Sequence, residues 1–228
     1  IKRVFFFFLN IRESWESEPA KRSSSIVDYL NWFDTTTSVE HALEKASFDW
    51  KHYFESQPEF KNIQKSVALE IGFGGGRLLC QSSSAFSKTI GVDIHREFDT
   101  TRKFIETQGL RNFELIHRND LSSLEDKSID FIYSFIVFQH FDSIEEVEFY
   151  LTQIRRLLKP TGYAHIFYGN GSKLTQTFKL TDASDFEARD CSLFIHPDYM
   201  AELCRKNGFK ILSYKNNLPK NPRTGEGV

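Results

Sequence analysis

The chain has few cysteines, and their number and spacing disfavour disulfide bonds and a zinc site. It contains three in 228 residues, Cys80, Cys191 and Cys204, and none belongs to a C-x-x-C pair. They are too few and too scattered for a disulfide framework, and their spacing disfavours a zinc site. We expect three reduced cysteines in or near the core and a reducing, cytoplasmic setting.

Long apolar runs and basic clusters are also missing. The longest apolar run, Val4 to Leu9, has six residues, whereas a membrane-spanning helix needs about 20. Lys2 and Arg3 precede it, but no full signal-peptide core or cleavage site follows. The net charge of −2 and the lack of a Lys/Arg-rich run disfavour a nucleic-acid partner. With 40% hydrophobic and 26% charged residues, the chain has an ordinary globular composition.

What the chain does have is a glycine cluster directly after an apolar run. Val67 to Ile71 predicts a buried strand, and Gly72, Gly74 and Gly76 follow at every second position. Glycine permits φ > 0 and the close approach of a ligand, and a helix from Arg77 would offer unpaired N–H groups. A dinucleotide fingerprint would need its third glycine at position 77. Arg77 therefore disfavours an NAD-dependent oxidoreductase.

Further strands and helices alternate along the chain. Strands are predicted at Thr89–Asp93, Phe113–His117 and Ser128–Ser134, then in a fifth segment that ends at Ile166, and at Phe209–Tyr214. Helices are predicted between them at Arg77–Ser84, Glu97–Gln108, Ile144–Leu158 and Pro197–Asn207. This alternation implies an α/β fold, with a doubly wound, mostly parallel Rossmann-like sheet and helices on both faces.

The motifs resemble those of the class I S-adenosylmethionine-dependent methyltransferases, in the small-molecule type 11/12 group. Glu70 and the three glycines match the E-x-G-x-G-x-G of motif I. Ser128–Ser134 resembles the fourth-strand motif FDxIxS, and Leu157–Ile166 resembles LLKPGGxLxI, with Thr161 at the first glycine. The resemblance covers roughly Ser66 to Tyr214.

The resemblance implies S-adenosylmethionine as cofactor, bound at the carboxyl ends of the first three strands. In the family the glycine loop lies beside the methionine part, and Glu70 would help hold the loop and the cofactor's amino group. Asp93, an acid at a strand end, would accept the ribose hydroxyls, and Asp120 would meet the adenine amino group. The implied cofactor-binding residues are Glu70, Gly72, Phe73, Gly74, Gly76, Asp93, Ile94, Asn119, Asp120, Leu121 and Ser134.

The implied activity is methyl transfer to an oxygen, nitrogen or carbon of a small-molecule acceptor. A non-catalytic cofactor-binding partner subunit is the alternative. His140, just after the fourth strand, is the candidate general base if the nucleophile arrives protonated; its alternative role is to position the loop around it. Gln139 and Tyr168 are the candidate substrate-binding residues. The other histidines lack ligand-like spacing, so no metal site is expected.

Two segments flank the predicted core of residues 66–228. Residues 1–65 hold all three tryptophans and predict a helical cap, with helices at Ser25–Phe33 and Val39–Ser56. Their aromatic residues either cover the cofactor site or pack against the core. Gly169 to Ile195 lacks periodicity and predicts a lid over the acceptor. After Tyr214 the tail is polar, so we expect the complete chain to continue past Val228 with a seventh, antiparallel strand between the fifth and sixth.

Overall fold

The computed structural model describes residues 11–181 and 191–214. Two compact units are present. The first unit comprises Ile1–Phe135 and Arg156–Ile166, and the second comprises Ile136–Arg155 and Phe167–Val228. The division into a cap of residues 1–65 and a core from residue 66 stays a prediction.

Helices and strands alternate as the sequence predicts. The helices are α1 Ile11–Arg22, α2 Ile26–Asp34, α3 Val39–Asp49, α4 Arg77–Ala85, α5 Phe98–Thr107, α6 Ile144–Leu157 and α7 Pro197–Lys206. The strands are β1 Val67–Ile71, β2 Lys88–Asp93, β3 Phe113–His117, β4 Ile129–Ser134, β5 Leu158–Ile166, β6 Gly169–Asn170, β7 Phe178–Leu180 and β8 Leu193–Ile195. A π-helical turn, Trp50–Glu55, continues α3, and short 3₁₀ turns lie at Glu59–Asn62, Arg118–Ser123 and Phe138–His140.

The first unit contains a five-stranded sheet in the order β3-β2-β1-β4-β5, with every neighbouring pair parallel. The chain moves from β1 outward to β3 and then returns to the other side of β1. Such an order defines a switch point, and open α/β sheets bind ligands there, at the carboxyl ends of the strands. The predicted doubly wound α/β fold is confirmed.

Aromatic side chains of the N-terminal segment complete the core of this unit. Phe131 and Tyr133 alternate along β4 and are fully buried. Trp50 and Phe54, from the π-helical turn, pack edge-on against Tyr133 with ring centroids 5.4 and 5.1 Å away. Edge-to-face packing at this distance is favourable beyond the area that it buries. These two aromatic residues therefore have the core-packing role, which was one of the two alternatives for the segment.

An ion pair fixes the amino-terminal end of the sheet. Asp130, the second residue of β4, accepts the Val67 N–H at 3.0 Å and binds the Lys159 amine at 2.8 Å. The pair joins β1, β4 and β5 at the end opposite the glycine loop. Asp130 therefore has a structural role, away from the glycine loop.

The prediction of a sixth strand at Phe209–Tyr214 is wrong. The segment has no regular structure after α7, and Leu212 and Tyr214 are about half exposed, at 52% and 49%. An apolar segment becomes a strand only when a neighbour supplies hydrogen bonds, and no described strand pairs with this one. The predicted seventh strand, with residues 215–228, lies outside the described residues.

Two elements appear where none was predicted. Helix α1 contains Pro19 and has little amphipathic pattern, so periodicity does not indicate it. Part of the segment expected to be irregular forms a small sheet in the second unit, in the order β6-β8-β7. Its strands have only two or three residues, which is too short for an alternating pattern to be visible. Within residues 11–181 and 191–214, no helix has the length and apolar character needed to cross a membrane.

Glu70 is a buried acid on the central strand β1. It is 3% exposed, and one carboxyl oxygen accepts the Tyr133 hydroxyl proton at 2.9 Å. Burial raises the pKa of Glu70 to about 8, and the hydrogen bond from Tyr133 and the charge of Arg77 offset only part of this. The folded protein therefore keeps this carboxyl protonated at a pH where an exposed glutamate is ionised.

The fold should lose stability as the pH rises from about 4.3, where an exposed glutamate ionises, to about 8, where folded Glu70 ionises. A glutamate in the unfolded chain ionises at about pH 4.3, whereas folded Glu70 holds its proton up to about pH 8. Because the native state binds more protons here, the free energy of unfolding falls by up to about 1.4 kcal/mol per pH unit. Glu70→Gln should flatten this dependence in urea unfolding, whereas the exposed Glu114→Gln should not. The same pH dependence in wild type and Glu70→Gln would contradict the assignment.

Candidate cofactor site

The glycine loop turns sharply at the carboxyl end of β1. Gly72, Gly74 and Gly76 have φ of +76°, +51° and +86°, values that other residues rarely adopt. The Gly72 N–H donates to the Val92 carbonyl at 2.7 Å, and the Gly76 N–H donates to the Phe73 carbonyl at 2.8 Å. The loop thus needs glycine at all three positions for backbone reasons alone.

Side chains from the end of β2 and from the residues that follow it hold both polar groups of Gly74. Its N–H donates to Asp93 Oδ2 at 2.8 Å, and its carbonyl accepts from Thr101 Oγ1 at 3.2 Å. His95 Nε2 lies 3.2 Å from the same carbonyl. Because the Glu97 N–H donates to His95 Nδ1 at 3.1 Å, the ring proton is on Nε2 and points to Gly74. The ends of β1 and β2 are therefore tied at a single residue.

Asp93, the predicted ribose ligand, already has partners in the fold. Its second oxygen accepts the Ile94 N–H at 2.7 Å, and the residue is 9% exposed. A carboxylate offers about four acceptor positions, and the bonds from the Gly74, Ile94 and His95 N–H groups use three of them. Asp93 can therefore hold the loop and still accept a hydroxyl group.

A cavity of about 660 Å³ lies beside the residues that follow β2 and β3. Two of the predicted cofactor residues, Ile94 and Asn119, line it, and α1 forms another wall. The remaining lining residues are Arg12, Glu13, Glu16, Ser17, Arg96, His117 and Arg118. Small-molecule sites have volumes of about 300–1,000 Å³. Ile94 offers an apolar contact, Asn119 an amide, and the two glutamates carboxylates, and these groups fit the adenosine part of the implied cofactor; three arginines make the rest of the lining basic.

His117 organises this cavity, although nothing in the sequence around it indicates this role. Its Nε2 lies 2.9 Å from the Ile94 carbonyl, and its Nδ1 accepts the Asn119 N–H at 3.3 Å. The imidazole thus bridges the two predicted cofactor residues in the cavity wall. The wall formed by α1 was also missed, because no motif marks the helix.

The other predicted cofactor residues lie around the loop and the β3 end. Ser134 Oγ donates to the Ile71 carbonyl at 3.0 Å, and both residues are buried. Phe73 is buried against His95 and Phe98, with ring centroids 5.2 and 5.4 Å away. In the 3₁₀ turn after β3, Asp120 is exposed and Leu121 is buried.

The three predicted acceptor-side residues all belong to the second unit. Gln139 and His140 lie in the Phe138–His140 turn, and Gln139 is buried. The backbone carbonyl of Gln139 accepts a hydrogen bond from the Ser192 N–H at 2.7 Å. His140 is partly exposed. Burial, and then hydrogen bonding with Tyr214, raise the pKa of Tyr168.

Ile136, just before this turn, has a strained backbone. Its φ is +59°, and a β-branched residue rarely adopts such a value. Strain of this kind costs about 1–3 kcal/mol and is concentrated at functional sites. No feature of the sequence indicates it.

Metal ligands do not gather at the site. In the part of the chain that the structure describes, no group of three or more His, Cys, Asp or Glu side chains could hold a metal ion.

Helix α2 covers the glycine loop. A Cβ atom placed on Gly74 would lie 2.9 Å from the Phe33 ring, and one on Gly75 would lie 2.8 Å from a Leu30 methyl group. Real Cβ atoms essentially never approach so closely. The loop and the helix are therefore packed to the limit that glycine allows.

This packing makes Gly74 more sensitive than another glycine of the same backbone class. Gly74→Ala should cost about 1–2 kcal/mol for φ > 0 and about 1–3 kcal/mol for the contact with Phe33. Gly109 also has positive φ, at +78°, but a Cβ atom there would meet nothing within 4 Å, so Gly109→Ala should show only the first cost. Urea unfolding measures both variants. Adding Phe33→Leu should recover part of the loss at Gly74 and none at Gly109; equal costs at both glycines would contradict the packing argument.

Comparison with known proteins agrees with this geometry. Residues 69–166 match the family described as "Methyltransferase domain". The match begins in β1 and ends with β5, so it contains the whole five-stranded sheet except the first residues of β1. Comparison with curated proteins finds no match.

Solved structures with the same fold include several methyltransferases. A SAM-dependent methyltransferase from Leishmania major is 15% identical, with a TM-score of 0.59 over 90% of this chain and 78% of that one. A SAM-dependent methyltransferase from Archaeoglobus fulgidus is 23% identical, with a TM-score of 0.50 over 76% and 70%. Phosphoethanolamine N-methyltransferase 1 from Haemonchus contortus is 16% identical, with a TM-score of 0.55 over 89% of this chain and 42% of that one.

The sequence match and the sheet agree on one family. The predicted resemblance is confirmed, since the strand order, the glycine loop and the family match all cover the same residues. Residues 69–166 match a methyltransferase domain, and the chain has the fold of the class I S-adenosylmethionine-dependent methyltransferases.

Proposed function

We propose that the protein transfers a methyl group from S-adenosylmethionine to an oxygen, nitrogen or carbon of a small-molecule acceptor. The observation that carries the proposal is the hydrogen bond between Gly74 and Asp93, next to a cavity that Ile94 and Asn119 line, within a methyltransferase domain. When bound, S-adenosylmethionine supplies a methyl group that its sulfonium already activates. The chain's own residues then need to bind, to align and to exclude water.

The cofactor roles divide along the sheet. Asp93 would accept the ribose hydroxyls while it holds Gly74, and Ile94 and Asn119 would contact the nucleoside from the cavity wall. Asp120 would meet the adenine amino group. Gly72, Phe73, Gly76, Leu121 and Ser134 would shape the backbone around the cofactor, and Glu70 would support the loop from below.

The acceptor roles fall on residues of the second unit. Gln139 and Tyr168 would bind the acceptor, and His140 would remove its proton where the acceptor is a hydroxyl or another protonated nucleophile. The strained backbone at Ile136 supports a functional role for the turn that follows it.

A reducing, cytoplasmic setting fits the cysteines. All three are free thiols, and burial raises the pKa of Cys80 to about 12. A buried thiol of this kind is inert and needs no oxidising compartment.

Cofactor binding tests the proposal directly. The full chain should bind S-adenosylhomocysteine in calorimetry and should not bind NAD. Asp93→Ala removes charged hydrogen bonds worth about 1.5–3 kcal/mol each, so affinity should fall about ten-fold or more. Asp126→Ala, an exposed acid paired with Arg156, is the control and should bind as wild type does. A wild-type chain that binds NAD and not S-adenosylhomocysteine would refute the function, and an unchanged affinity in Asp93→Ala would refute the role of Asp93.

His140 should affect turnover and not cofactor affinity. We expect His140→Ala to lower the rate of S-adenosylhomocysteine formation about 10²–10⁴-fold with a hydroxyl acceptor, chosen by screening a metabolite panel. The pH–rate profile should also lose the limb that reports the ionisation of a general base. The exposed His52→Ala is the control. Full turnover with an unchanged profile in His140→Ala would leave this histidine only a positioning role.

A further inference from the structure

Arg77 is the residue that separates this glycine loop from a dinucleotide fingerprint, and its side chain is buried. It begins α4 directly after Gly76 and is 9% exposed. Its guanidinium binds Asp49 at 2.7 Å and also forms an ion pair with Asp34. Asp34 ends α2 and Asp49 ends α3. One arginine therefore joins α2 and α3 to the first turn of α4.

The charges around Arg77 balance. Lys45 binds Asp34 at 2.7 Å, so two cations face two carboxylates. Burial raises the pKa of Asp49, and Arg77 opposes this rise. A buried ion pair of this kind adds little net stability over apolar packing, whereas losing one partner is costly. The arrangement therefore needs an explanation other than stability.

The position of α2 supplies one. Phe33 immediately precedes Asp34, and its ring lies against Gly74. At the other end of the contact, the Tyr29 hydroxyl is 2.8 Å from Thr101 Oγ1, which itself binds the Gly74 carbonyl. Helix α2 thus contacts Gly74 directly through Phe33 and indirectly through Tyr29 and Thr101. Arg77 binds Asp34, the residue next to Phe33, and is therefore linked to the first of these contacts.

We propose that Arg77 is a positioning residue for cofactor binding. It fastens α2 and α3 over the glycine loop, and so fixes the backbone of Gly74 in the form in which Asp93 holds it. This inference rests on the proposed function, because it concerns the affinity of the same site. Arg77 itself need not touch the cofactor, since its guanidinium is occupied by two carboxylates.

The test compares two ion pairs of the first unit, each with a buried carboxylate. Arg77→Met removes the link to the cap, and Lys159→Met removes the link between Asp130 and β5 at the opposite end of the sheet. Both variants should lose stability in urea. Arg77→Met should bind S-adenosylhomocysteine about ten-fold more weakly, within the usual range of coupling between sites. Lys159→Met should stay within about two-fold of wild type.

Two further variants separate positioning from simple loss of packing. Arg77→Lys keeps the charge, but a lysine amine cannot reproduce the planar fork that binds two carboxylates, so its affinity should lie between those of wild type and Arg77→Met. Hydrogen exchange should become faster at residues 26–34 and 72–76 in both Arg77 variants, and at neither range in Lys159→Met. Adding Asp49→Asn to Arg77→Met should weaken binding no further.

Each outcome bears on the inference. Affinity within about two-fold of wild type in both Arg77 variants would overturn it. If Arg77→Met does not fold, Arg77→Lys and the single variant Asp49→Asn decide the question by the same two measurements. If the wild-type chain itself fails to bind S-adenosylhomocysteine, the proposed function fails; unchanged exchange at residues 72–76 in Arg77→Lys would then separately overturn the positioning role.

Discussion

The hydrogen bond from the Gly74 N–H to Asp93 is the constraint on which the candidate site depends. Parallel pairing of β1 with β2, with Ile71 opposite Val92, brings the ends of the two strands side by side. The glycine loop and the acidic strand end can then meet only if the loop turns back, and this turn requires φ > 0. The 2.8 Å hydrogen bond from the Gly74 N–H to Asp93 Oδ2 forms only in this turned conformation of the loop. Strand register, loop shape and acid position are thus one property of the fold.

A second layer forms around this bond. Thr101 and His95 hold the Gly74 carbonyl, and Phe33 closes the space above the residue. Each contact arises from a different element, namely α5, the loop after β2, and α2. The candidate site is therefore organised around the peptide group of Gly74. The N-terminal segment contributes to it because Phe33 packs against this residue.

The central strands of the main sheet could be predicted closely because β1, β2 and β4 are buried along almost their whole length. Such strands form continuous apolar runs with clear ends, and β1 has the predicted bounds. The edge strand β3 is only partly buried and also has the predicted bounds. The segment Phe209–Tyr214 has a similar composition, yet it is not a strand. A segment forms a strand only if it pairs with another strand that is distant in sequence, and the composition of the segment does not show whether that strand exists.

The residues of the candidate site could be predicted only where neighbours in the sequence determine their positions. Glycines 72, 74 and 76 and Asp93 are of this kind, because strand ends and turns determine their positions. Arg77, His117 and α1 are not. Arg77 could pair with any of many acids, and nothing local selects Asp34 and Asp49. His117 acts by bridging backbone groups that follow two different strands, which becomes visible only once β2 and β3 are adjacent.

The π-helical turn after α3 has a consequence for the tolerance of the chain to insertions and deletions. Ala42, Ala46, Trp50 and Phe54 are all buried at a spacing of four residues. In a regular α-helix that spacing drifts about 40° per step, so a wider turn is needed to keep the last residues facing inward. Removing one of residues 50–53 would move Phe54 to the position that Tyr53 now holds, about 100° away around the helix axis. We therefore expect this segment to accept substitutions of similar size far more readily than any change in length.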